Sequence, residues 1–297
     1  LTIHHLMSHT SGIPNINNFA EYDAIQLRKH TPGELVAYFR DKPLNSAPGS
    51  KYEYSNSNYN LLAHIIERVS GLSFGELLAR EIFRPLGLAS TGHPANMGQI
   101  VAGMADGYAP EGLTGLQRAG YLDWSVKTGN GSLYSSAGDL VRFFRAVNEG
   151  RLLKPESLAA TFTAHTPNVG YGWFITRAND RDIRHINGRS PGWAAQVDYY
   201  PAEGVTVAVL SNTYSSVTTP IARAVGAMLF GLPFQSFPPL SDRRLPRTET
   251  ATLEGIYRFG SDYYVPNQRV RIVNRDGVLY ATYPDSDYPP SAYIPIT

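Results

Sequence analysis

The sequence KYEYSNSNYN at residues 51–60 leads directly into the segment LLAHIIERV at residues 61–69. Apolar residues in the second segment recur at intervals of three and four, which predicts a helix with one buried face. Gly71 follows, and glycine readily takes the left-handed conformation that ends a helix. We therefore place the polar and aromatic residues on a loop that a well-anchored helix holds in position. The residues of the predicted buried face are Leu61, Leu62, Ile65, Ile66 and Val69.

The pattern YSNxxYxLLxxIIExxSG at residues 54–71 resembles the second motif of a family of serine hydrolases. That family includes class C β-lactamases, penicillin-binding proteins, and related esterases and D-aminopeptidases. The resemblance implies that Tyr54 acts as general base and acid beside a lysine, and that Asn56 binds the amide or ester region of the substrate. A phenol has an ordinary pKa of about 10, so such a tyrosine needs a nearby cation that favours its anion. The alternative is that both residues only stabilise the loop.

The N-terminal stretch LTIHHLMSHTSGIP at residues 1–14 is similar to a segment that precedes the tyrosine loop in the same family. His5 and His9 are four residues apart and could share one helix face, as a pair of metal ligands would. No glutamate follows His5 and no third ligand is indicated, so we expect no metal site. We interpret His9, Thr10 and Ser11 as structural residues that bond the turn after the helix.

The composition of the 297 residues limits the classes of function. The formal net charge is +1 and acids and bases are interspersed, which leaves no basic stripe for a phosphate backbone. We therefore expect no nucleic-acid partner. The chain has no cysteine, which excludes disulfides, thiolate metal sites and a cysteine nucleophile. No apolar run is long enough to span a membrane.

The nucleophilic Ser-x-x-Lys motif of the family does not occur in residues 1–297. Its spacing is chemically required, since a lysine one helical turn after the serine lies on the same face and helps to deprotonate the hydroxyl. In the family this motif precedes the segment that begins here at Leu1, so we expect that an upstream part of the protein is missing from the sequence. The alternative is a relative that has lost the nucleophile and binds a ligand or peptidoglycan without catalysis.

The sequence HINGRSPGW at residues 185–193 resembles the third motif of the family, in which H-x-G precedes a P-G-[FW] turn. The resemblance implies that His185, Asn187 and Gly188 bind the substrate from a strand. The match departs by one residue, because the expected histidine position falls on Ile186. His185 therefore needs a local bulge or a shifted strand to point into the site.

The triplet Lys-Thr-Gly at residues 127–129 spells a motif that lines the active site of many β-lactamases. Its context argues against that role, because the residues after it resemble a family segment that forms a loop entering a helix. Ser136, with Asp139 three residues later, predicts the N-terminus of that helix. We interpret the triplet as a coincidental match, and residues 94–128 as long loops beside the site.

Further helices are indicated at three places. Thr31 with Glu34 and Ser73 with Glu76 form capping-box patterns ahead of apolar runs. Residues 216–230 predict another helix, which we expect to pack on the sheet. Its predicted apolar face comprises Val217, Ile221, Ala224, Val225 and Met228.

The chain is predicted to contain a large and a small domain. Residues 1–237 are predicted to form a class C β-lactamase-like domain of the α/β class, with a mainly antiparallel sheet flanked by helices. A proline-rich and charged stretch at residues 238–247 indicates a linker. Residues 248–297 alternate like short antiparallel strands, with a hairpin signal at Asp276-Gly277, and predict a small β-barrel-like domain whose few strands suggest an incomplete barrel.

The resemblance implies a serine hydrolase that acts on small esters, amides or D-amino acid peptides through an acyl-serine intermediate. Such a mechanism needs no metal or organic cofactor, and we expect none. The expected partner is a small-molecule or short-peptide substrate, and the expected location is periplasmic or secreted. The motifs alone do not distinguish β-lactam, D-peptide and ester substrates.

Overall fold

The computed structural model describes residues 1–94, 99–111, 115–234, 246–259, 269–282 and 284, and the backbone of residues 291–293. The chain divides into two compact units. The first unit comprises residues 1–107 with 119–234, and the second comprises residues 108–118 with 235–297. Residues 238–245 of the predicted linker lie outside the described residues, so the predicted domain boundaries stay predictions.

Short helices with well-defined ends make up much of the first unit. The predicted capping boxes at Thr31 and Ser73 are confirmed, because each hydroxyl accepts from the backbone N–H of the glutamate three residues later and that glutamate accepts in return. Gly71 ends the central helix with a φ of 69°, as predicted. The α-helices of this unit are α1 (Ile3–Met7), α2 (Tyr22–Ile25), α3 (Pro32–Ala37), α4 (Asn56–Ser70), α5 (Phe74–Leu78), α6 (Ala137–Asn148), α7 (Pro155–Thr161) and α8 (Thr218–Leu229). A π-helical segment, Ala79–Phe83, follows α5, and 3-10 helices span Ile16–Asn18 and Trp124–Lys127.

The predicted antiparallel sheet is confirmed in the first unit, where four strands within residues 174–211 pair in chain order. Each of these strands pairs antiparallel with the next one. The strands of the described residues are β1 (Tyr108–Glu111), β2 (Gly115–Arg118), β3 (Phe174–Ala178), β4 (Arg181–Ser190), β5 (Trp193–Tyr200), β6 (Val205–Ser211), β7 (Gly255–Arg258), β8 (Arg269–Arg275), β9 (Val278–Thr282) and β10 (Ser291–Tyr293).

Helices flank both faces of the four-stranded sheet, as predicted. On one face Ala222 of α8 packs in a buried cluster with Tyr200 and Val207. On the other face Phe144 of α6 packs in a buried cluster with Val197. Because side chains alternate along a strand, Val197 and Tyr200 of β5 reach opposite layers of core.

The face of α8 that contacts the sheet differs from the predicted one. Val225 and Met228 are exposed, whereas Ala222 and Gly226 are buried. A Cβ at Gly226 would lie 2.3 Å from the Tyr200 hydroxyl oxygen, so small residues allow the helix to approach the sheet closely. Hydrophobic periodicity favours large apolar residues and therefore selected the wrong face.

A second core lies beside α4. Leu61, Leu62 and Ile65 pack against a buried cluster that includes Leu35 of α3, which confirms most of the predicted buried face. Val69 is 83% exposed, because it lies in the last turn of the helix beyond that cluster. The packed stripe fixes the helix, and with it the loop that precedes the helix.

The described residues of the second unit form hairpins and a short helix, α9 (Arg247–Thr250). β1 pairs with β2, and a separate antiparallel sheet has the order β10-β9-β8-β7. The predicted hairpin at Asp276-Gly277 is confirmed, because Arg275 pairs with Val278 and both turn residues have positive φ angles. The β1–β2 hairpin lies in the stretch of residues 94–128 that was predicted as loops. β2 is exposed along its length, so it lacks the alternation of buried and exposed residues that would have indicated a strand.

Among the residues that the structure describes, no helix combines the length and apolar character needed to cross a bilayer.

Candidate active site

The side chains of Tyr54 and Asn56 are bonded to each other and to a neighbouring turn. The Tyr54 hydroxyl donates to Asn56 Oδ1 at 3.1 Å. Asn56 Nδ2 donates to Asn17 Oδ1 at 2.9 Å, and the Asn56 backbone N–H donates to Asn15 Oδ1 at 3.2 Å. The Asn56 amide therefore has a defined orientation, with its oxygen toward the phenol.

The segment after α1 holds this loop through the backbone. Gly12 has a φ of 73°, and a Cβ at this position would lie 2.1 Å from the carbonyl oxygen of Ser46. Only glycine fits a crossing this close. The carbonyl oxygens of His9, Thr10 and Gly12 accept from the N–H groups of Glu53, Gly49 and Asn45 at 2.8, 2.7 and 2.8 Å, respectively.

Polar residues near the start of α4 are buried because they bond the surrounding loops. The Ser57 hydroxyl donates to the Pro14 carbonyl at 2.7 Å and accepts from the Ile16 N–H at 2.8 Å. Asn60 Nδ2 donates to the Thr128 carbonyl at 2.8 Å. A buried polar group without a partner costs free energy, so these bonds explain why the helix can bury serine and asparagine.

His9 is bonded to the loop that carries Tyr54. His9 Nδ1 accepts the Ser55 N–H at 3.2 Å, so that ring nitrogen is already engaged. Burial lowers the pKa of His9 to about 4. Within the described ranges, no group of three His, Asp or Glu side chains is arranged to hold a metal ion.

The Lys-Thr-Gly triplet at residues 127–129 lies at the end of a 3-10 helix and in the turn after it, not on a strand. Gly129 has a φ of 89°, and a Cβ at this position would lie 2.2 Å from the Tyr59 carbonyl oxygen of α4. The predicted start of the next helix is confirmed, because Ser136 Oγ accepts the Asp139 N–H. The glycine of the triplet thus permits close packing of a loop on α4.

The regular pairing of β4 decides where the third-motif residues lie. Residues 184–190 pair one to one with residues 199–193 of β5. His185 therefore shares a sheet face with Asp198, and Ile186 points to the opposite face. The bulge that the sequence requires for His185 is absent. His185 lies on the α8 side of the sheet, where Arg223 of α8 is 3.4 Å from Asp198.

His185 is enclosed by neighbours on that side. Its ring stacks on Phe174 with a centroid separation of 5.3 Å, and its Nδ1 lies 3.4 Å from Gln196 Nε2. Burial, and secondly the charge of Arg223, lower the pKa of His185 to about 4. The ring is therefore neutral near neutral pH.

Asn187 and Gly188 lie beyond the point where β3 ends, and both are exposed. β3 pairs with β4 only as far as His185, and no other described strand pairs with the following residues on that side. The Ile175 N–H of β3 bonds outside the four-stranded sheet. Because the backbone groups of successive residues point to opposite edges of a strand, those of Phe174 point toward His185 of β4. By the same alternation the backbone N–H and C=O of Asn187 face the open edge.

Residues 188–192 read Gly-Arg-Ser-Pro-Gly and fit the Gly-x-Ser-x-Gly pattern of a nucleophile elbow. A nucleophile elbow lies on a turn from a strand to a helix. Ser190 instead pairs with Trp193 across a tight turn between two antiparallel strands. The pattern in this setting does not form an elbow.

The sequence motifs predict Tyr54 and Asn56 as site residues but do not predict the contacts that hold them. Asn15 and Asn17 directly follow the N-terminal motif, and His9 lies within it. Similarity of that whole stretch to a family segment was the available signal. Their bonds to residues about 40 positions away depend on the fold and could not be read from local patterns.

A family model described as Beta-lactamase matches residues 1–228. Penicillin-binding protein 4* of Bacillus subtilis is 27% identical over 277 residues, which cover 84% of this chain and 60% of that protein. The D-aminopeptidase of Gluconobacter oxydans is 27% identical over 247 residues, covering 78% of this chain and 45% of that protein. The chain thus spans about half of the length of these curated relatives.

Solved structures share the fold. The octameric penicillin-binding protein homologue from Pyrococcus abyssi superposes with a TM-score of 0.68 at 24% identity, covering 99% of this chain and 68% of that chain. The penicillin binding protein from Bacillus halodurans superposes with a TM-score of 0.66 at 24% identity, covering 78% of this chain and 72% of that chain. These similarities confirm the predicted fold class.

Proposed function

The chain belongs to the Beta-lactamase family, and on that premise we propose that the protein is a serine hydrolase of small esters, amides or D-amino acid peptides. The reaction proceeds through an acyl-serine intermediate, which divides one difficult hydrolysis into two easier steps. The observation that carries the proposal is the fixed pair of Tyr54 and Asn56, bonded to each other at 3.1 Å.

Tyr54 acts in this proposal first as general base and then as general acid. The phenolate takes the proton of the serine hydroxyl while the serine oxygen bonds to the substrate carbonyl carbon. The phenol then returns the proton to the leaving group as its bond to that carbon breaks. A nearby lysine would favour the phenolate. The Ser-x-x-Lys motif that supplies serine and lysine in the family does not occur in residues 1–297.

Asn56 and the open edge of β4 are the proposed substrate contacts. The Asn56 amide is oriented by its bond to Tyr54. Asn187 presents its backbone at the open edge, and the space around the Cβ position of Gly188 is empty within 4 Å. An extended peptide or amide can pair with such an edge. His185 is left out of the proposed site, because it faces α8.

A ligand-binding relative without catalysis is the second candidate. The observation that favours it is the absence of Ser-x-x-Lys from residues 1–297. Positioned groups without a nucleophile keep some affinity for substrate but cannot form the covalent intermediate.

The test compares residues 1–297 with the product of the whole open reading frame. Each is treated with a fluorophosphonate and with a penicillin probe and examined by intact mass, and hydrolysis of nitrocefin, a p-nitrophenyl ester and a D-alanyl peptide is followed. A stoichiometric adduct together with turnover supports the hydrolase. Binding without adduct or turnover in either form supports the second candidate. An adduct on residues 1–297, mapped to Ser55 or Ser190, would show that the nucleophile is one of these serines and not the serine of a Ser-x-x-Lys motif.

A further inference from the structure

His9 contacts the residues on both sides of Tyr54. Its carbonyl oxygen accepts the Glu53 N–H at 2.8 Å, and its Nδ1 accepts the Ser55 N–H at 3.2 Å. Its ring lies against the Tyr54 ring, with centroids 4.5 Å apart. One buried residue, 6% exposed, thus bonds the backbone before and after the tyrosine and packs on the tyrosine itself.

The backbone of His9 is in an uncommon conformation. Its φ is 54°, in the left-handed region that non-glycine residues seldom adopt. Such conformations carry an energetic cost and persist where the surrounding structure holds them in place. Here the surrounding bonds are those that join His9 to the Tyr54 loop.

The hydrogen bonds also define the protonation state of the His9 ring. The Ser55 backbone N–H can only donate, so His9 Nδ1 must accept. Asn58 Oδ1 of the side-chain amide accepts from the Ser11 hydroxyl at 2.6 Å, which turns Asn58 Nδ2 toward the same His9 nitrogen at 3.3 Å. The ring is therefore neutral, with its proton on Nε2. Burial lowers the pKa of His9 to about 4, in agreement with this state.

The Ser55 N–H depends on His9 for a partner. Ser55 is the N-cap of α4, so its N–H lies outside the hydrogen-bond ladder of the helix. The Ser55 side chain makes no cap bond either. Loss of the acceptor at His9 would therefore loosen the residue directly after Tyr54.

We propose that His9 is a positioning residue for Tyr54, which it holds through the acceptor at Nδ1 and the carbonyl oxygen. This role rests on the proposed function, in which Tyr54 is the general base. Small displacements of a catalytic group lower the rate strongly, whereas binding of the substrate by other contacts is retained. His9 is thus expected to affect kcat more than KM.

Two substitutions separate the acceptor from the bulk of the side chain. Asparagine places Oδ1 close to the position of Nδ1 and tolerates the left-handed conformation. Glutamine moves its polar atoms one bond further out and leaves the Nδ1 position empty of an acceptor. In the product of the whole open reading frame we expect His9→Gln to lower kcat by about 10- to 100-fold with little change in KM. His9→Asn should restore most of the loss.

Amide hydrogen exchange in residues 1–297 supplies a readout that does not need activity. We expect the Ser55 amide to exchange about tenfold faster or more in His9→Gln, and to stay protected in His9→Asn. A long-range proton–nitrogen correlation on the wild type reads the His9 tautomer directly, whether or not a variant folds. Protonated Nδ1 would overturn the proposal.

The outcomes distinguish the positioning role of His9 from the proposed hydrolase activity. Unchanged kcat and unchanged Ser55 exchange in a folded His9→Gln variant would refute the positioning role. A wild-type protein that hydrolyses none of the three substrates would refute the proposed function. In that case the exchange and tautomer measurements still decide whether His9 holds the loop.

Discussion

The Tyr54 hydroxyl lies 3.1 Å from Asn56 Oδ1, and the phenol is the donor. In Tyr54→Phe the ring remains but the proposed base is removed, so we expect kcat to fall by about 100-fold or more with little change in KM. Steady-state kinetics of the whole-reading-frame product measures this. Equal kcat for variant and wild type on every accepted substrate contradicts the role.

Tyr59→Phe is the matched control for that variant. The Tyr59 hydroxyl donates to the Met7 carbonyl at 3.1 Å, and burial raises the pKa of Tyr59 to about 12. A phenol so hard to ionise is not suited to act as a base. We expect this variant to lose about 1 kcal/mol of stability and to keep its kcat.

Two buried serines on either side of Asn56 differ in their bonding. The Ser57 hydroxyl bonds Pro14 and Ile16, whereas the Ser55 hydroxyl has no hydrogen-bond partner within the described residues. We expect Ser57→Ala to lower the free energy of unfolding by about 2 kcal/mol, and Ser55→Ala to change it by less than about 0.5 kcal/mol or to raise it. Urea denaturation measures both. Equal losses would contradict the hydrogen-bond argument.

Gly129 and Gly131 provide a comparison of a crowded with an open position. A Cβ at Gly129 would clash with the Tyr59 carbonyl, and its φ of 89° disfavours alanine. No atom lies within 4 Å of the Cβ position of Gly131. We expect Gly129→Ala to cost about 3 kcal/mol or more and Gly131→Ala less than about 1 kcal/mol. Thermal unfolding of both variants checks this. A Gly129→Ala variant with the stability of the wild type would contradict the packing role given to the triplet.

The lowered pKa of His185 predicts that acid destabilises the folded protein. Its folded-state pKa is about 4, against about 6.5 for an unperturbed histidine, so the unfolded chain binds this proton more readily. The contribution of neutral His185 to the free energy of unfolding is complete above pH 6.5 and is lost as the pH falls toward 4. It amounts to about 2 kcal/mol once partial exposure of the ring is allowed for. Free energies of unfolding measured at several pH values should fall less steeply in His185→Gln, and parallel curves would argue against a neutral His185.

Local chemistry made part of this fold predictable from the sequence. The reciprocal bonds of Thr31 with Glu34 need only four consecutive residues, and the Asp276-Gly277 turn needs only two residues that accept positive φ. Both were predicted correctly. The antiparallel sheet and the family followed from motifs in a fixed order along the chain.

Features that depend on packing or register are not determined by local sequence patterns. Strand alternation makes His185 and Ile186 point to opposite faces, so a motif offset of one residue changes the side of the sheet. The buried face of α8 was predicted wrongly, because Gly226 allows the helix to pack closely on the sheet although glycine is not a large apolar residue. The role of His9 depends on bonds across 44 and 46 positions of sequence, which no window of local pattern contains.

The backbone bonds between residues 9–12 and 45–53 also bear on how the site forms during folding. They connect distant parts of the chain, so the intervening loop must close before Tyr54 is placed. Helix formation takes on the order of microseconds or less, whereas non-local contacts set the slower overall rate of folding. The α4 helix can thus form while the loop that carries Tyr54 is still unordered. The proposed site is therefore completed only at the step that joins these two distant segments of the chain.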